Sequence, residues 1–325
     1  MNGATSVTVV LPAFNEGASL GMSLAAIAEY LSLHRSYEFR YVIVDDGSSD
    51  DTFRVAKDFA RWRSNVRVLQ HYRNRGVGAA LRTAFRDIDS DLVVVLDVDL
   101  SYSPMVAMQL IQALDRQGAD IALASPYAYG GSVVNLPFIR RLLSRECNRF
   151  LSLATAGRFA TFTCMVRAYR TTALRQLEFC ADGTIAAAEM LLSGLRNRMH
   201  IIELPATLRW SDARHSERRQ HHVRDLASHS TASLLLACRY RPSLCLAVPG
   251  LVPGLLLVVV AVLLILHVST RALEIGIIAT LIVQYAGFAL FTGEINGVSA
   301  RNRRRKDRVT KGVSENGYRL PRRIR

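Results

Sequence analysis

The sequence predicts an α/β domain, a mainly parallel sheet with helices on both faces, followed by two membrane-crossing helices. Three observations predict it. Apolar, β-branched runs alternate with helix-length segments through residue 124, the pattern of a parallel sheet built from crossovers. The run Val93–Leu96 is apolar throughout and stops at Asp97 and Asp99, as a strand buried on both faces does at the ligand-binding edge of an open α/β sheet. Near the C-terminus, Pro242–Leu266 and Ile275–Gly293 carry no charged residue, and each reaches the ~20 residues that cross a bilayer core.

Taken in order, strands begin at Val7, Tyr41, Val66, Leu92 and Asp120, with helices over Gly17–Leu33, Asp51–Arg63, Val77–Asp87 and Ser103–Gln117. The second helix is announced by Ser48, Ser49 and Asp50, whose side-chain oxygens suit an N-cap, while Asp50 and Asp51 favour its positive end. After residue 125 the alternation loosens. The stretch 125–137 reads as a loop, Phe138 to about Ala154 as a basic helix, Met165–Tyr169 as a short strand, and a further helix holds Glu189.

At 325 residues and 50% hydrophobic content the chain buries one sizeable core and has apolar sequence left over for the two spans. Leu255–Leu266 is apolar all round rather than striped, which separates it from an amphipathic surface helix. Pro249 and Pro253 are placed to kink the first span. The N-terminal residues carry no basic region and no long apolar run, so no signal peptide is expected and the first domain stays in the cytosol. The short connector 267–274 makes the spans an antiparallel hairpin. It returns the tail to the same side, and residues 301–325, rich in arginine and lysine against Asp307 and Glu315, fit the positive-inside rule. The expected organisation is therefore a cytosolic domain over 1–218, a basic juxtamembrane helix over 219–241, two transmembrane helices within 242–293 and a basic cytosolic tail over 294–325.

The net charge of +14 raises nucleic acid as a partner, but the excess lies in the tail and just before the first span. Anionic lipid accounts for it there at ~1 kcal/mol per charge. Five scattered cysteines without a C-x-x-C indicate neither a zinc site nor a disulfide frame.

The chemistry starts from Asp97 and Asp99. Carboxylates at i and i+2 on an extended segment point the same way and can hold a divalent cation that grips a diphosphate, although a lone D-x-D also occurs as a solvated turn. Three further polar clusters end strand-like runs: Pro12-Ala13-Phe14-Asn15-Glu16, Asp45-Asp46-Gly47-Ser48-Ser49-Asp50 and Asn74-Arg75-Gly76-Val77-Gly78-Ala79. In the last, Gly76 and Gly78 allow close backbone approach or positive φ. The turn is not the G-x-G-x-x-G of a dinucleotide site. Farther on, Arg141, Arg145 and Arg149 recur at helical spacing. They suit a solvated face, a helix resting on anionic lipid, or a phosphate site.

These four loops, in this order, resemble the GT-A glycosyltransferases of family 2. The match is to their polyprenyl-phosphate (dolichol-phosphate mannose synthase-like) branch, over residues 7 to about 218. The resemblance implies an inverting transfer of one sugar from a nucleoside-diphosphate sugar to a polyprenyl phosphate at the cytosolic face of a bacterial membrane. It implies Mg²⁺ or Mn²⁺ on Asp97 and Asp99, with Ser101 as a third ligand where the family often has glutamine, and Asp99 as a catalytic residue. Pro12, Phe14, Asn15, Glu16, Asp45, Asp46 and Gly76 would join Asp97 and Asp99 around the nucleotide-sugar. The segment Ser144-Arg145-Glu146-Cys147-Asn148 resembles the family's S-R-x-x-N, and Val166-Arg167-Ala168-Tyr169 its F-R-A-Y. By that resemblance Arg141, Arg145, Asn148 and Arg167, with Ser216 and Arg218 of a looser match, would hold the acceptor phosphate, Arg145 acting in catalysis. Two departures accompany it. Thr161 stands where the family has an aspartate, and Pro126 where it has part of G-S-R-Y. Arg209-Trp210 lacks the preceding glutamine of processive synthases, Ala206 standing there. The lipid bilayer is an expected partner, nucleic acid is not, and a homo-oligomer is compatible with the sequence. The alternatives are a family 2 enzyme acting on another membrane lipid or glycan, and a membrane scaffold of the same fold that has lost turnover.

Overall fold

The structure is a computed structural model that describes residues 4–210 and Leu236. The chain divides into two compact units, Met1–Tyr240 and Arg241–Arg325. The second unit, with the expected spans and tail, lies outside the described residues, as does the expected juxtamembrane helix over 219–241 apart from Leu236. Among the described residues no helix is long and apolar enough to cross a membrane.

The first unit begins β1 (Thr5–Ala13), α1 (Gly17–Ser32), β2 (Tyr37–Asp45), α2 (Thr52–Ala60), β3 (Val66–Gln70), α3 (Val77–Ala84), β4 (Leu92–Val95), α4 (Pro104–Gln117) and β5 (Ile121–Ser125). It continues β6 (Ser132–Val134), α5 (Phe138–Ala154), β7 (Arg167–Arg170), α6 (Thr171–Leu174), α7 (Ala186–Arg196), β8 (Ile201–Pro205) and β9 (Thr207–Arg209). Seven strands form one sheet in the order β3-β2-β1-β4-β7-β5-β8, and β6 and β9 form a second, two-stranded parallel sheet. From β1 the chain steps outward to β2 and β3, then returns to lay β4 on the other side of β1. That reversal is the switch point at which open α/β sheets leave a crevice for ligands.

Alternation along the central strands fills both faces. Val7, Val9 and Leu11 pack with α1 and α4, whereas Val10 packs with Val93, Val95 and α3, the two-residue period of a strand. All four residues of β4 are buried, and burying each such valine or leucine contributes roughly 1.5–3 kcal/mol. Helix α4 has a clear start and stop. Ser103 accepts a hydrogen bond from the Met105 amide, Pro104 opens the first turn, and Gly118 closes the helix in the left-handed conformation.

Two features depart from the sequence reading. The strand expected near Met165–Tyr169 is β7, which lies between β4 and β5 and runs antiparallel to both, so the sheet is mixed at its centre. The loop expected over 125–137 contains β6, whose partner β9 is contributed by residues far away in sequence. Three-residue strands leave too little periodicity to read before their partner is known. The helix expected from Asp51 starts at Thr52, and its cap has a second use. Asp50 accepts hydrogen bonds from the amides of both Thr52, at 3.0 Å, and Gly17, at 2.9 Å, so one carboxylate holds the starts of α1 and α2 together. Burial opposes ionisation of Asp50, but the bonds from Thr52 and Gly17 outweigh it and hold the carboxyl below its usual range.

Candidate active site

A pocket opens at the β1/β4 switch point, lined by Pro12, Ala13, Phe14, Glu16, Asp46, Val77, Asp97, Val98 and Asp99. Each of the four loops that end in polar clusters thus contributes to one cavity. Asp97 and Asp99 follow β4 after Leu96, with Val98 between them packed into the core. Leu100 then takes a left-handed conformation, φ 55°, which curls the chain back. The Ser101 amide donates to Asp99 Oδ1 at 2.8 Å and its hydroxyl bonds Asp97. Ser101 therefore orients both carboxylates. Burial, the neighbouring Asp99 and, more weakly, Glu16 push the Asp97 carboxyl up to about 7, against the hydrogen bond from Ser101.

This donor set suits a hard divalent cation. Two clustered carboxylates that resist sharing negative charge are the arrangement a cation relieves. Among the described residues no group of three or more His, Cys, Asp or Glu side chains gathers as a closed cage. A site of two carboxylates leaves positions for water or phosphate oxygens, as Mg²⁺ sites commonly do.

The remaining expected donor-site residues divide in two. Pro12, Phe14, Glu16 and Asp46 line the pocket. Asp45 does not. It is fully buried, accepting from the Ser48 amide at 3.1 Å and Gln70 Nε2 at 3.0 Å, so the structure corrects its placement to the frame beneath the site. Asn15 ties loops together, its amide bonded to Ser48 Oγ and its side-chain oxygen accepting from the Ser49 amide, both at 2.9 Å. Gly76 has the positive φ that the sequence reading allowed, but it does not line the pocket. Its φ is +91°, and an added Cβ would collide with the Asp182 carbonyl. The close approach it permits is to a neighbouring loop, and its amide is spent on Asp46 Oδ2 at 2.6 Å. Asp46 also accepts the Arg75 amide at 3.0 Å and shares a 2.6 Å hydrogen bond with buried His71, whose other ring nitrogen lies 2.8 Å from Thr83 Oγ1. His71 and Asp182 brace the loops of the pocket, and a motif search does not reach them. The readable signal for His71 is only its place directly after β3.

On the expected acceptor side the structure separates the arginines. Arg141, Arg145 and Arg149 are exposed on α5. Arg167 is 1% exposed, and its guanidinium donates to the carbonyls of Ala187 and Phe162 at 2.5 and 2.6 Å. Asn148 is equally buried. It accepts from the Phe162 and Thr163 amides and donates to the Ser144 carbonyl, which pins α5 to the 161–163 segment. Both are corrections: the Asn148 amide and the two terminal nitrogens of Arg167 are spent inside the core, where both side chains are too buried to reach a phosphate, and Arg167 Nε is left there without a partner. Thr161 shares a 2.6 Å hydrogen bond with Ser125, and Glu203 receives the Ala160 and Thr161 amides at 2.9 and 2.8 Å. Glu189 accepts the Cys180 and Ala181 amides at 2.7 and 2.8 Å, and so shapes the loop on which Gly76 rests. Ser216 and Arg218 lie outside the described residues.

The model of the family described as Glycosyl transferase family 2 matches residues 8–177, just over half of the chain. The chain belongs to that family. Its described domain has the GT-A α/β fold. This family 2 chain is 34% identical over 139 residues to a dolichol-phosphate mannosyltransferase of Pyrococcus furiosus, covering 43% of this chain and 38% of that one. It is 34% identical over 179 residues to an undecaprenyl-phosphate 4-deoxy-4-formamido-L-arabinose transferase of Edwardsiella ictaluri, covering 54% and 52%. The chain thus spans about half the length of these relatives or less. Among solved structures, glucosyl-3-phosphoglycerate synthase of Mycobacterium tuberculosis, in complex with Mn²⁺, UDP and glucosyl-3-phosphoglycerate, superposes with a TM-score of 0.56 at 20% identity. The match covers 73% of this chain and 80% of that one. A likeness at that identity establishes the fold.

Proposed function

We propose that this family 2 glycosyltransferase moves a single sugar from a nucleoside-diphosphate sugar to a polyprenyl phosphate, with inversion and with a divalent cation. The reading further places it in a membrane by two spans within 242–293, with the GT-A domain and the basic tail in the cytosol. The observation that carries the donor half is the convergence of Asp97 and Asp99 with Glu16 and Asp46 on one pocket at the switch point. The acceptor half is supported by relatives named for dolichol phosphate and undecaprenyl phosphate. The cation is supported by the Mn²⁺ of a structural neighbour and by the oxygen donor set.

In this reading Asp97 and Asp99 would hold Mg²⁺ or Mn²⁺, which neutralises the departing diphosphate. Ser101 keeps the two carboxylates aimed into the pocket. Asp46, braced by His71, fixes the Arg75-Gly76 turn that carries Val77 to the pocket wall. The exposed Arg141 and Arg145 would meet the acceptor phosphate, since a guanidinium pairs bidentately with it. A phosphate monoester with second pKa ≈ 6 is largely a dianion at neutral pH and needs no general base, so a threonine at 161 is compatible with turnover.

The test is incubation of the full chain in membranes with a panel of labelled nucleotide-sugars and polyprenyl phosphate, followed by mass spectrometry of the lipid product. The expected product is acid-labile, carries one phosphate between sugar and prenol, has the inverted anomeric configuration, and fails to form in excess chelator. A sugar on a hydroxyl, or two phosphates in the linkage, would transfer the assignment to another membrane acceptor.

A further inference from the structure

The pocket has a direction. Its wall runs from Asp46 at the end of β2, across Pro12, Phe14 and Glu16 after β1, to Asp97 and Asp99 after β4, and the next strand of the sheet is β7. A nucleoside-diphosphate sugar is laid out in the same sequence, from base and ribose through diphosphate to sugar. With the base over β2 and β1 and the diphosphate at Asp97 and Asp99, the sugar falls at the end of β7. Neighbouring strands lie about 4.8 Å apart, and the sugar is bonded directly to the second phosphate, so one strand is the step between them.

Because β7 runs antiparallel to β4, the residues that lead into it stand at this edge. Val95 pairs with Arg167, and two residues farther toward the pocket on each chain come Asp97 and Met165. The Val166 carbonyl accepts from the Ala124 amide at 3.1 Å, so the lead-in also stays in line with β5. Burial and, behind it, the nearby Asp97 charge push the Cys164 thiol up to about 11, against its contact with the Tyr102 hydroxyl. The 164–165 backbone therefore runs beside that carboxylate. Alternation then separates the side chains. Cys164 and Val166 pack with the core on the α1 and α4 side, whereas Met165 packs against the cluster of Val93, Val95 and Leu81, the face to which Asp97 belongs by the two-residue period. Met165 is only half-buried there. Its polar neighbours are already committed: the Thr163 hydroxyl is bonded to Asn148, and Ser125 and Thr161 share their 2.6 Å bond. What the β7 edge offers a sugar is a thioether side chain, unbranched, flexible and apolar.

We infer that Met165 forms the floor of the donor-sugar subsite and limits the bulk of the sugar this chain takes, to a pentose or plain hexose rather than a ring bearing an acylamino group. The inference rests on the donor half of the reading above. A contact of this kind sorts sugars by volume: each methylene-sized group that an apolar pocket must accommodate or exclude is worth about 10–200-fold.

The experiment uses the full chain with Mn²⁺ and measures Kd by calorimetry for UDP and GDP. On whichever base binds more tightly, it continues with the plain hexosyl ester and with esters carrying an acetamido group at carbon 2, 4 or 6 of the sugar. The parent is expected to bind at least one acetamido ester about tenfold or more weakly than the plain ester, and Met165→Gly to bring that ester within about threefold of the plain one. Affinity for the bare nucleoside diphosphate should be the same in both. Met165→Leu, which conserves volume, should keep the parent's discrimination. Met165→Phe should weaken the plain ester about tenfold and leave the bare nucleoside diphosphate as it was, a result that serves even where the glycine variant does not fold. A parent that does not discriminate, discrimination that Met165→Gly leaves in place, or a loss in Met165→Phe that falls equally on the bare nucleoside diphosphate overturns the inference while the donor reading stands. A parent that binds neither UDP nor GDP with Mn²⁺ would end the donor reading, and the inference with it.

Discussion

The two halves of the sheet use their polar residues in opposite ways. On the β1–α4 side, carboxylates at strand ends line a cavity. Asp46, Asp97 and Asp99 reach it, and the loops that bear them are cross-tied by Asn15, Asp45 and Asp50. On the β5–β9 side, the polar residues that resemble ligand contacts mostly hold backbone. Arg167, Asn148 and Glu203 satisfy carbonyls and amides of the 160–163 segment or of α7. What remains for a ligand there is the exposed stripe of α5. A residue type at the right spacing therefore tells what chemistry is available, while burial decides whether it is spent on a substrate or on the fold.

The comparison is broken most sharply at Asp99. Asp99→Asn keeps the shape and loses the charge, so turnover should fall by about 10²–10³, the scale of several kcal/mol of lost charge stabilisation. Circular dichroism should be unchanged. Turnover at the parental rate would show that the donor-side carboxylates are as structural as those of the other half.

Next in size is a test of the frame. Gly76→Ala forces a side chain into a positive-φ position and against the Asp182 carbonyl, and Asn148→Ala leaves the Phe162 and Thr163 amides without their acceptor. Each should cost about 1–3 kcal/mol of stability, read as a fall of several degrees in the thermal midpoint. If Asn148→Ala instead raised only the acceptor KM with the midpoint unmoved, its assignment to the frame would be wrong.

Arg145→Ala sharpens the contrast within α5. It should raise the KM for polyprenyl phosphate about tenfold, the value of one charge-assisted contact, with nucleotide affinity and thermal midpoint unchanged. Arg167→Ala, by contrast, should lower the midpoint, because it strips the Ala187 and Phe162 carbonyls of their partner.

The smallest effect is a pH dependence. Asp97 in the folded protein binds its proton more tightly than in the unfolded chain, being raised from 3.8 to about 7. Without metal its contribution to stability is therefore greatest below the unfolded value and is lost as pH rises toward 7. A cation competes with that proton. The rise in thermal midpoint on adding Mn²⁺ should be small at pH 5, grow through pH 7 and level off above pH 8, and Asp97→Asn should flatten it. An equal rise at every pH would mean the cation binds elsewhere.

The sequence by itself determined the alternating α/β order, the strand ends at which the pocket opens, and the two carboxylates at the heart of it. These are local facts: a buried strand must be apolar for its whole length, and the residue at which that run stops marks the edge of the sheet. It also determined that Arg145 lies on a helical stripe, because 3.6-residue periodicity needs no partner to be read. Only the tertiary structure decided that Asp46 rather than Asp45 faces the cavity, that Gly76 approaches Asp182, and that Arg167 and Asn148 are spent on backbone. It likewise placed β7 antiparallel between β4 and β5 and paired β6 with β9. Each of these depends on what stands opposite a residue across the fold, and hydrogen bonds between groups far apart in sequence leave no periodicity in the chain that makes them.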